Sequence, residues 1–167
     1  MEQVIYLAGG CFWGVEKYFQ QFPGVVKTRV GYANGQTDAP SYEEVCAGSG
    51  HAETVEVCFD PSVLSLESLL DKFFAVIDPF SVNKQGHDEG IQYRTGVYTT
   101  DASIREAVQA YFLQKEKELG RPLAVELGTL DQFSPAEEYH QKYLDKNPNG
   151  YCHIPTAMLH LVEKKEN

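Results

Sequence analysis

The sequence is short of basic residues, of cysteines and of long apolar runs, and each shortage closes off a class of function. Lysine and arginine number 14 against 24 aspartates and glutamates, a formal charge of −10, and no basic cluster interrupts the acidic excess. Nucleic acid and anionic membrane surfaces both require a basic footprint, so neither is an expected partner. No apolar stretch approaches the roughly 18 residues of a membrane span. Met1-Glu2-Gln3-Val4-Ile5-Tyr6-Leu7 runs straight into a strand-like pattern, with no basic segment ahead of a long apolar one. No secretory signal is therefore expected, and the expected location is cytoplasmic. The four cysteines, Cys11, Cys46, Cys58 and Cys152, form no C-x-x-C pair and no tight cysteine–histidine spacing. Structural zinc is not expected from such spacing, which suits reduced thiols of which one or two are redox-active. Repeats and low-complexity segments are also lacking. What remains is 167 residues, 43% hydrophobic, with ten tyrosines and nine phenylalanines. That composition folds, and the length suits one domain over residues 1–167 with a sizeable core.

Tryptophan is scarce too, and the one that is present has an unusual setting: Gly10-Cys11-Phe12-Trp13-Gly14. A thiol at a strand-to-helix junction faces unpaired backbone N–H groups and the positive end of the helix dipole, which favour the nucleophilic thiolate. Phe12 and Trp13 could hold an apolar group against the sulfur. The opposing reading is that a cysteine beside two aromatics is buried filler, since free cysteine is among the most buried residue types. The flanking glycines weigh against filler, because a core position gains nothing from them and a close backbone approach does.

Residues 4–7 read as a short buried strand and residues 12–21 as a helix, in which Val15, Tyr18 and Phe19 recur at helical spacing before Pro23-Gly24 stops it. A second strand is expected at 25–32 and a third at 54–59, where Val55, Val57 and Phe59 alternate with Thr54, Glu56 and Cys58. Cys58 is assigned to the core on that strand. Ser65 caps a second helix over 66–76, a strand follows at 95–98, and Asp101 opens a third helix that Gly120 ends. A short strand at 123–127 precedes Ser134-Pro135-Ala136-Glu137, which reads as a capping box with proline at the first helical position, opening a last helix that ends near Lys146. The order strand, helix, strand, strand, helix, strand predicts an α+β fold: a two-layer sandwich with a split β-α-β, ferredoxin-like plait and an irregular C-terminal extension.

Two connections are too long to be mere links. Residues 33–53 contain Tyr42, Cys46 and His51 and deliver Glu53 to the third strand, and residues 81–94 contain His87, Asp88, Tyr93 and Arg94. Long irregular segments in a compact domain are usually functional. Taken singly, Glu53 reads as a surface carboxylate and Tyr42 and Tyr93 as packing residues with a bonded hydroxyl.

Taken together, Gly10-Cys11-Phe12-Trp13-Gly14 with Glu16, Gly31-Tyr32-Ala33, Tyr42-Glu43-Glu44-Val45-Cys46, Gly50-His51-Ala52-Glu53, Asp60-Pro61, Gly90-Ile91-Gln92-Tyr93-Arg94 and Asn147-Pro148-Asn149-Gly150-Tyr151-Cys152 resemble peptide methionine sulfoxide reductase, type A. The resemblance covers nearly the whole chain. It implies that Cys11 attacks the sulfoxide sulfur and that Glu53 protonates the oxygen from a poorly solvated pocket. It further implies that Tyr42 and Tyr93 hydrogen-bond that oxygen, that Phe12 and Trp13 enclose the S-methyl group, and that Asp88 is an acid of the same pocket. The product would be methionine plus a sulfenic acid on Cys11, which Cys152, in a C-terminal segment over 147–167, would convert to a disulfide. Some relatives carry a further C-terminal cysteine, and this chain has none after Cys152. A two-cysteine cycle recycled by thioredoxin or another dithiol is therefore expected, with no bound cofactor, no metal, and a monomer.

The substrate implied is methionine S-sulfoxide, free or in proteins, and the role repair of oxidative damage. Two other readings compete from the residues alone. Cys11 with His51 or His87 as base would suit a cysteine acyl-transfer hydrolase. An aromatic pocket that grips methionine-like side chains without chemistry would suit a peptide-binding module.

Overall fold

The first strand, β1 (Gln3–Gly9), buries Ile5 and Leu7 completely, while Val4 is 38% exposed. The strand alternates over its first five residues and is buried without a break from Leu7 to Gly9, so the short buried strand expected over residues 4–7 is only half-buried there. The computed structural model describes residues 2–35, 42, 50–85, 88–130, 133–141, 144 and 154, with the side chains of Asp88, Glu89, Ile91 and Tyr139 outside the description.

After β1 come helix α1 (Phe12–Gln20), strands β2 (Val25–Ala33) and β3 (Ala52–Phe59), and helix α2 (Leu66–Phe74). The two-residue strands β4 (Lys84–Gln85) and β5 (Asp88–Glu89) and a 3-10 turn at Ile91–Tyr93 occupy the second long connection. Strand β6 (Thr95–Thr99), helix α3 (Ala102–Leu119), strands β7 (Glu126–Thr129) and β8 (Phe133–Pro135) and a 3-10 turn at Glu138–His140 complete the described elements. Six strands form one sheet in the order β7-β6-β1-β3-β2-β8. The β6–β7 pair is parallel and the others are antiparallel, so the fold is a mixed α/β one.

Capping residues act as the sequence suggests. Ser65 accepts the amide of Ser68, Asp101 accepts those of Ser103 and Ile104, and Gly120 ends α3 at φ 74°. One face of the sheet supplies Ile5, Leu7, Val30, Val55, Val57, Phe59 and Val97 to a core completed by apolar side chains of α1, α2 and α3. The Tyr18 hydroxyl of α1 donates to the carbonyl of Lys72 in α2 at 2.8 Å, and Phe74 of α2 meets the rings of Tyr111 and Phe112 of α3.

Three expectations need correction. Cys58 lies on the face of β3 opposite to Val57 and Phe59, is partly exposed, and its Sγ donates to Glu2 Oε2 at 3.1 Å. Strand alternation, applied consistently, puts it there. The strand expected at 123–127 is displaced to Glu126–Thr129, where it pairs with β6.

The helix expected to open at Ser134 does not start there: Phe133–Pro135 is an edge strand pairing with Ala33, Tyr32 and Gly31. Tertiary pairing overrides the capping pattern. Gly31 permits it, because a Cβ there would collide with the Ser134 carbonyl and the Phe133 ring. Behind the strand, the Gln141 amide both donates to Val30 O and accepts from Val30 N, and the Ala136 amide donates to Val30 O. Residues 136–141 are thereby fastened along β2. Beyond His140, the remainder of the expected helix lies outside the described residues apart from Gln141 and Leu144.

Candidate active site

Gly10 makes the turn from β1 into α1 at φ 91°, a conformation that a residue with a Cβ rarely adopts. Cys11 follows as the N-cap residue with extended backbone, 6% exposed, and its side chain does not cap the helix. The thiol thus sits where first-turn amides and the helix dipole favour an anion. Phe12 is buried, and Trp13 is partly buried against the core.

Glu53 reaches the same point from β3. It shares the inner face with Val55, Val57 and Phe59 and is 1% exposed, so the solvated-carboxylate reading is wrong. Its Oε1 accepts the Phe12 amide at 3.2 Å, which ties a buried carboxyl to the residue next to Cys11.

A residue that the sequence reading missed completes this corner. His140 is 1% exposed and its Nδ1 accepts the indole N–H of Trp13 at 3.0 Å. Its ring lies 5.3 Å from that of Phe12, 5.7 Å from that of Trp13 and 4.7 Å from that of Tyr42. Burial pushes the imidazole below its usual range, partly opposed by the Glu137 carboxylate. A neutral ring accepting at Nδ1 carries its proton on Nε2.

Glu137 is the second missed residue. One oxygen accepts the Tyr32 hydroxyl at 2.9 Å and the other the Tyr42 amide at 3.1 Å. Burial alone would raise its pKa, but hydrogen bonds from its own amide, from Tyr42 and from Tyr32 together hold it below the ordinary carboxylate value. The carboxylate expected to cap a helix instead fastens Tyr42 beside His140. The available signal was the single indole N–H, which needs an acceptor when buried.

Tyr93 is partly buried and ends the 3-10 turn, whose residues pack against β3. Asp88 pairs through its backbone with Gln85, and its side chain lies outside the description. Cys46, His87 and Cys152 also lie outside the described residues. His51 is fully buried against Gly35, where a Cβ would strike its ring. Gly35 thus leaves room for the His51 ring at the base of the first long connection. Among the described residues, no group of three or more His, Cys, Asp or Glu side chains could hold a metal ion, and no helix is long and apolar enough to cross a membrane.

The family described as peptide methionine sulfoxide reductase matches residues 3–167. The chain belongs to that family.

The peptide methionine sulfoxide reductase MsrA of Lachnoclostridium phytofermentans is 57% identical over 155 residues, covering 92% of this chain and 93% of the relative. Among solved structures, Mxr1 from Saccharomyces cerevisiae in reduced form aligns with a TM-score of 0.85 at 38% identity, covering 93% of this chain and 90% of that one. Methionine sulfoxide reductase A of Corynebacterium diphtheriae aligns at 0.80 and 37% identity, covering 92% and 83%. As a type A member, the chain is a peptide-methionine (S)-S-oxide reductase, an oxidoreductase that reduces methionine sulfoxide. Neither the hydrolase nor the binding-module reading survives that membership.

Proposed function

We propose that Cys11, as thiolate, attacks the sulfoxide sulfur while Glu53 supplies the proton that turns the sulfoxide oxygen into a leaving group. The Cys11 sulfur bonds to the substrate sulfur as the oxygen takes the proton; the S–O bond and that new sulfur–sulfur bond then break as the hydroxyl passes to Cys11, which releases methionine and leaves a sulfenic acid on Cys11. The observation that carries this reading is the bond from the Phe12 amide to the Glu53 carboxyl, which puts nucleophile and acid in one buried corner. Two effects compete at Glu53. Burial favours the neutral acid, and the amide donor favours the anion. Near-total exclusion from water supports the acid form, which the proton transfer requires.

The rings of Phe12 and Trp13, steadied by His140, form the apolar side that receives the S-methyl group. Tyr42 and Tyr93 donate to the oxygen as its charge grows, and Asp88 belongs to the same pocket. Cys152 then attacks the sulfenic acid, releasing water and forming the Cys11–Cys152 disulfide. Thioredoxin, a dithiol, returns both to thiols. A solved structure of Mxr1 in complex with Trx2 shares the fold, with a TM-score of 0.60 at 23% identity. The physical support for a dithiol reductant is the disulfide itself, which exchange with two thiols returns to Cys11 and Cys152 through a mixed disulfide. We further propose a monomeric, cytoplasmic, cofactor-free enzyme of one domain. Its strands β6-β1-β3-β2, each antiparallel to the next, have the order that a split β-α-β plait requires.

The test is thiol counting across one turnover with separated sulfoxide epimers. Loss of two thiols per methionine formed, with the S epimer only, is the expected result, and Cys11→Ser should form no methionine under any reductant. Turnover by Cys11→Ser would overturn the assignment. A Cys152→Ser protein should form about one equivalent of methionine and stall, its sulfenic acid trapped by dimedone.

A further inference from the structure

Arg94 follows Tyr93 directly, and its side chain, 12% exposed, reaches three separate parts of the chain. Nη1 donates to the carbonyl of Gly50 at 2.9 Å, Nη2 to that of Asn34 at 3.3 Å, and Nε to Glu126 Oε1 at 2.8 Å. Glu126 also accepts the Tyr98 hydroxyl, so the carboxylate that orients the guanidinium is itself anchored to β6. Asn34 and Gly50 flank residues 35–49, the segment that carries Tyr42, and Gly50 precedes Glu53 by three positions. Both take positive φ, 54° for Asn34 and 86° for Gly50. Such backbone is costly for a non-glycine residue and persists where neighbours over-determine it. The Asn34 side chain donates in turn to Thr129 O at 3.1 Å.

We propose that Arg94 is a positioning residue for the oxygen-handling side of the site: one guanidinium fixes the neck of the Tyr42 segment, the approach to Glu53 and the turn bearing Tyr93 relative to one another. The inference rests on the roles given above to Tyr42, Glu53 and Tyr93. A guanidinium suits the task because its donors point in fixed directions within one plane, whereas an ammonium on a flexible stem cannot hold three acceptors in register. The acceptors of Arg94 are Gly50, Asn34 and Glu126, on the loop side of the site, so its loss should spare the nucleophile. A displacement of about 1 Å at groups that must meet the sulfoxide oxygen is enough to cost on the order of 10²-fold in rate.

The experiment is single-turnover methionine formation by the full chain without added reductant, under saturating sulfoxide, for Arg94→Lys, Tyr93→Phe and the double variant. Alkylation of Cys11 by iodoacetamide and the KM for sulfoxide are measured on the same proteins. Arg94→Lys should slow methionine formation about 10²-fold, with the amplitude, the alkylation rate and KM all within about threefold of the parent. The double variant should be no slower than about threefold below the slower single one, since both changes act on one unit. A parental rate in Arg94→Lys overturns the proposal. So does a loss confined to amplitude, the mark of a smaller folded fraction in which the folded molecules react normally. Failure of the underlying reading looks different: Tyr93→Phe and Glu53→Gln would both react at the parental rate, and the proposal would fall with it.

Discussion

The two sides of the site are built in different ways. The proposed nucleophile side is local: Gly10, Cys11, Phe12 and Trp13 are consecutive, and one glycine turn followed by one helix N-terminus arranges them. The proposed oxygen-handling side draws on Glu53 on β3, Tyr42 in the connection before it, and Tyr93 in the turn before β6. Its cohesion comes from long-range bonds, with Glu137 holding the Tyr42 amide and Arg94 joining Asn34, Gly50 and Glu126. Where the pieces are contiguous, secondary structure alone sets the geometry. Where they are scattered, buried polar contacts must do it, and these are the places where one substitution can uncouple chemistry from folding.

That contrast can be broken in graded steps. Glu53→Gln removes the proton while keeping size and an acceptor for the Phe12 amide, and should lower steady-state turnover about 10²–10⁴-fold, the range for a general acid. His140→Phe keeps a ring between Phe12, Trp13 and Tyr42 and removes the acceptor of the indole N–H. The orphaned donor should cost about 1–3 kcal/mol in urea unfolding. The same variant should also flatten the acid side of the stability profile. Because burial lowers the His140 pKa in the folded state, the unfolded chain binds more protons as pH falls below about 6.5. The stability contributed by the neutral ring is therefore fully present above that pH and lost as pH falls through the folded value. An unchanged profile in His140→Phe would remove His140 from the account. Cys58→Ser should change stability by no more than about 0.5 kcal/mol and leave turnover as it was, since the thiol lies on the far face of β3. Burial together with the Glu2 and Glu56 carboxylates pushes that thiol's pKa up, which keeps it protonated and poorly reactive.

The unequal construction of the two sides also explains what could be read from the chain. Capping by Ser65 and Asp101, the stop at Gly120 and the strand-to-helix turn at Gly10 are local events with local signals, and they lie where the residues put them. The burial of Glu53 was legible only through alternation with Val55, Val57 and Phe59, and as a lone glutamate it reads as solvated. Cys58 shows the same rule neglected, since alternation with Val57 means opposite faces. Ser134 to Glu137 misled because a good capping pattern lost to pairing with β2, a partner about a hundred residues away in sequence. Apart from the indole N–H of Trp13 that needs an acceptor, His140 and Glu137 carried no local signal for that reason. Their positions follow from the edge strand and from the Gln141 bonds to Val30, neither of which leaves a periodic trace.

The central claim is that attack at sulfur and proton delivery to oxygen belong to separable groups that share one buried corner. It is tested most directly by measuring two rates on one Glu53→Gln protein: alkylation of Cys11, and methionine formation in a single turnover. Alkylation within about threefold of the parent, with methionine formation reduced about 10²–10⁴-fold, is the expected pair. Equal loss of both rates, or loss of neither, would contradict the account.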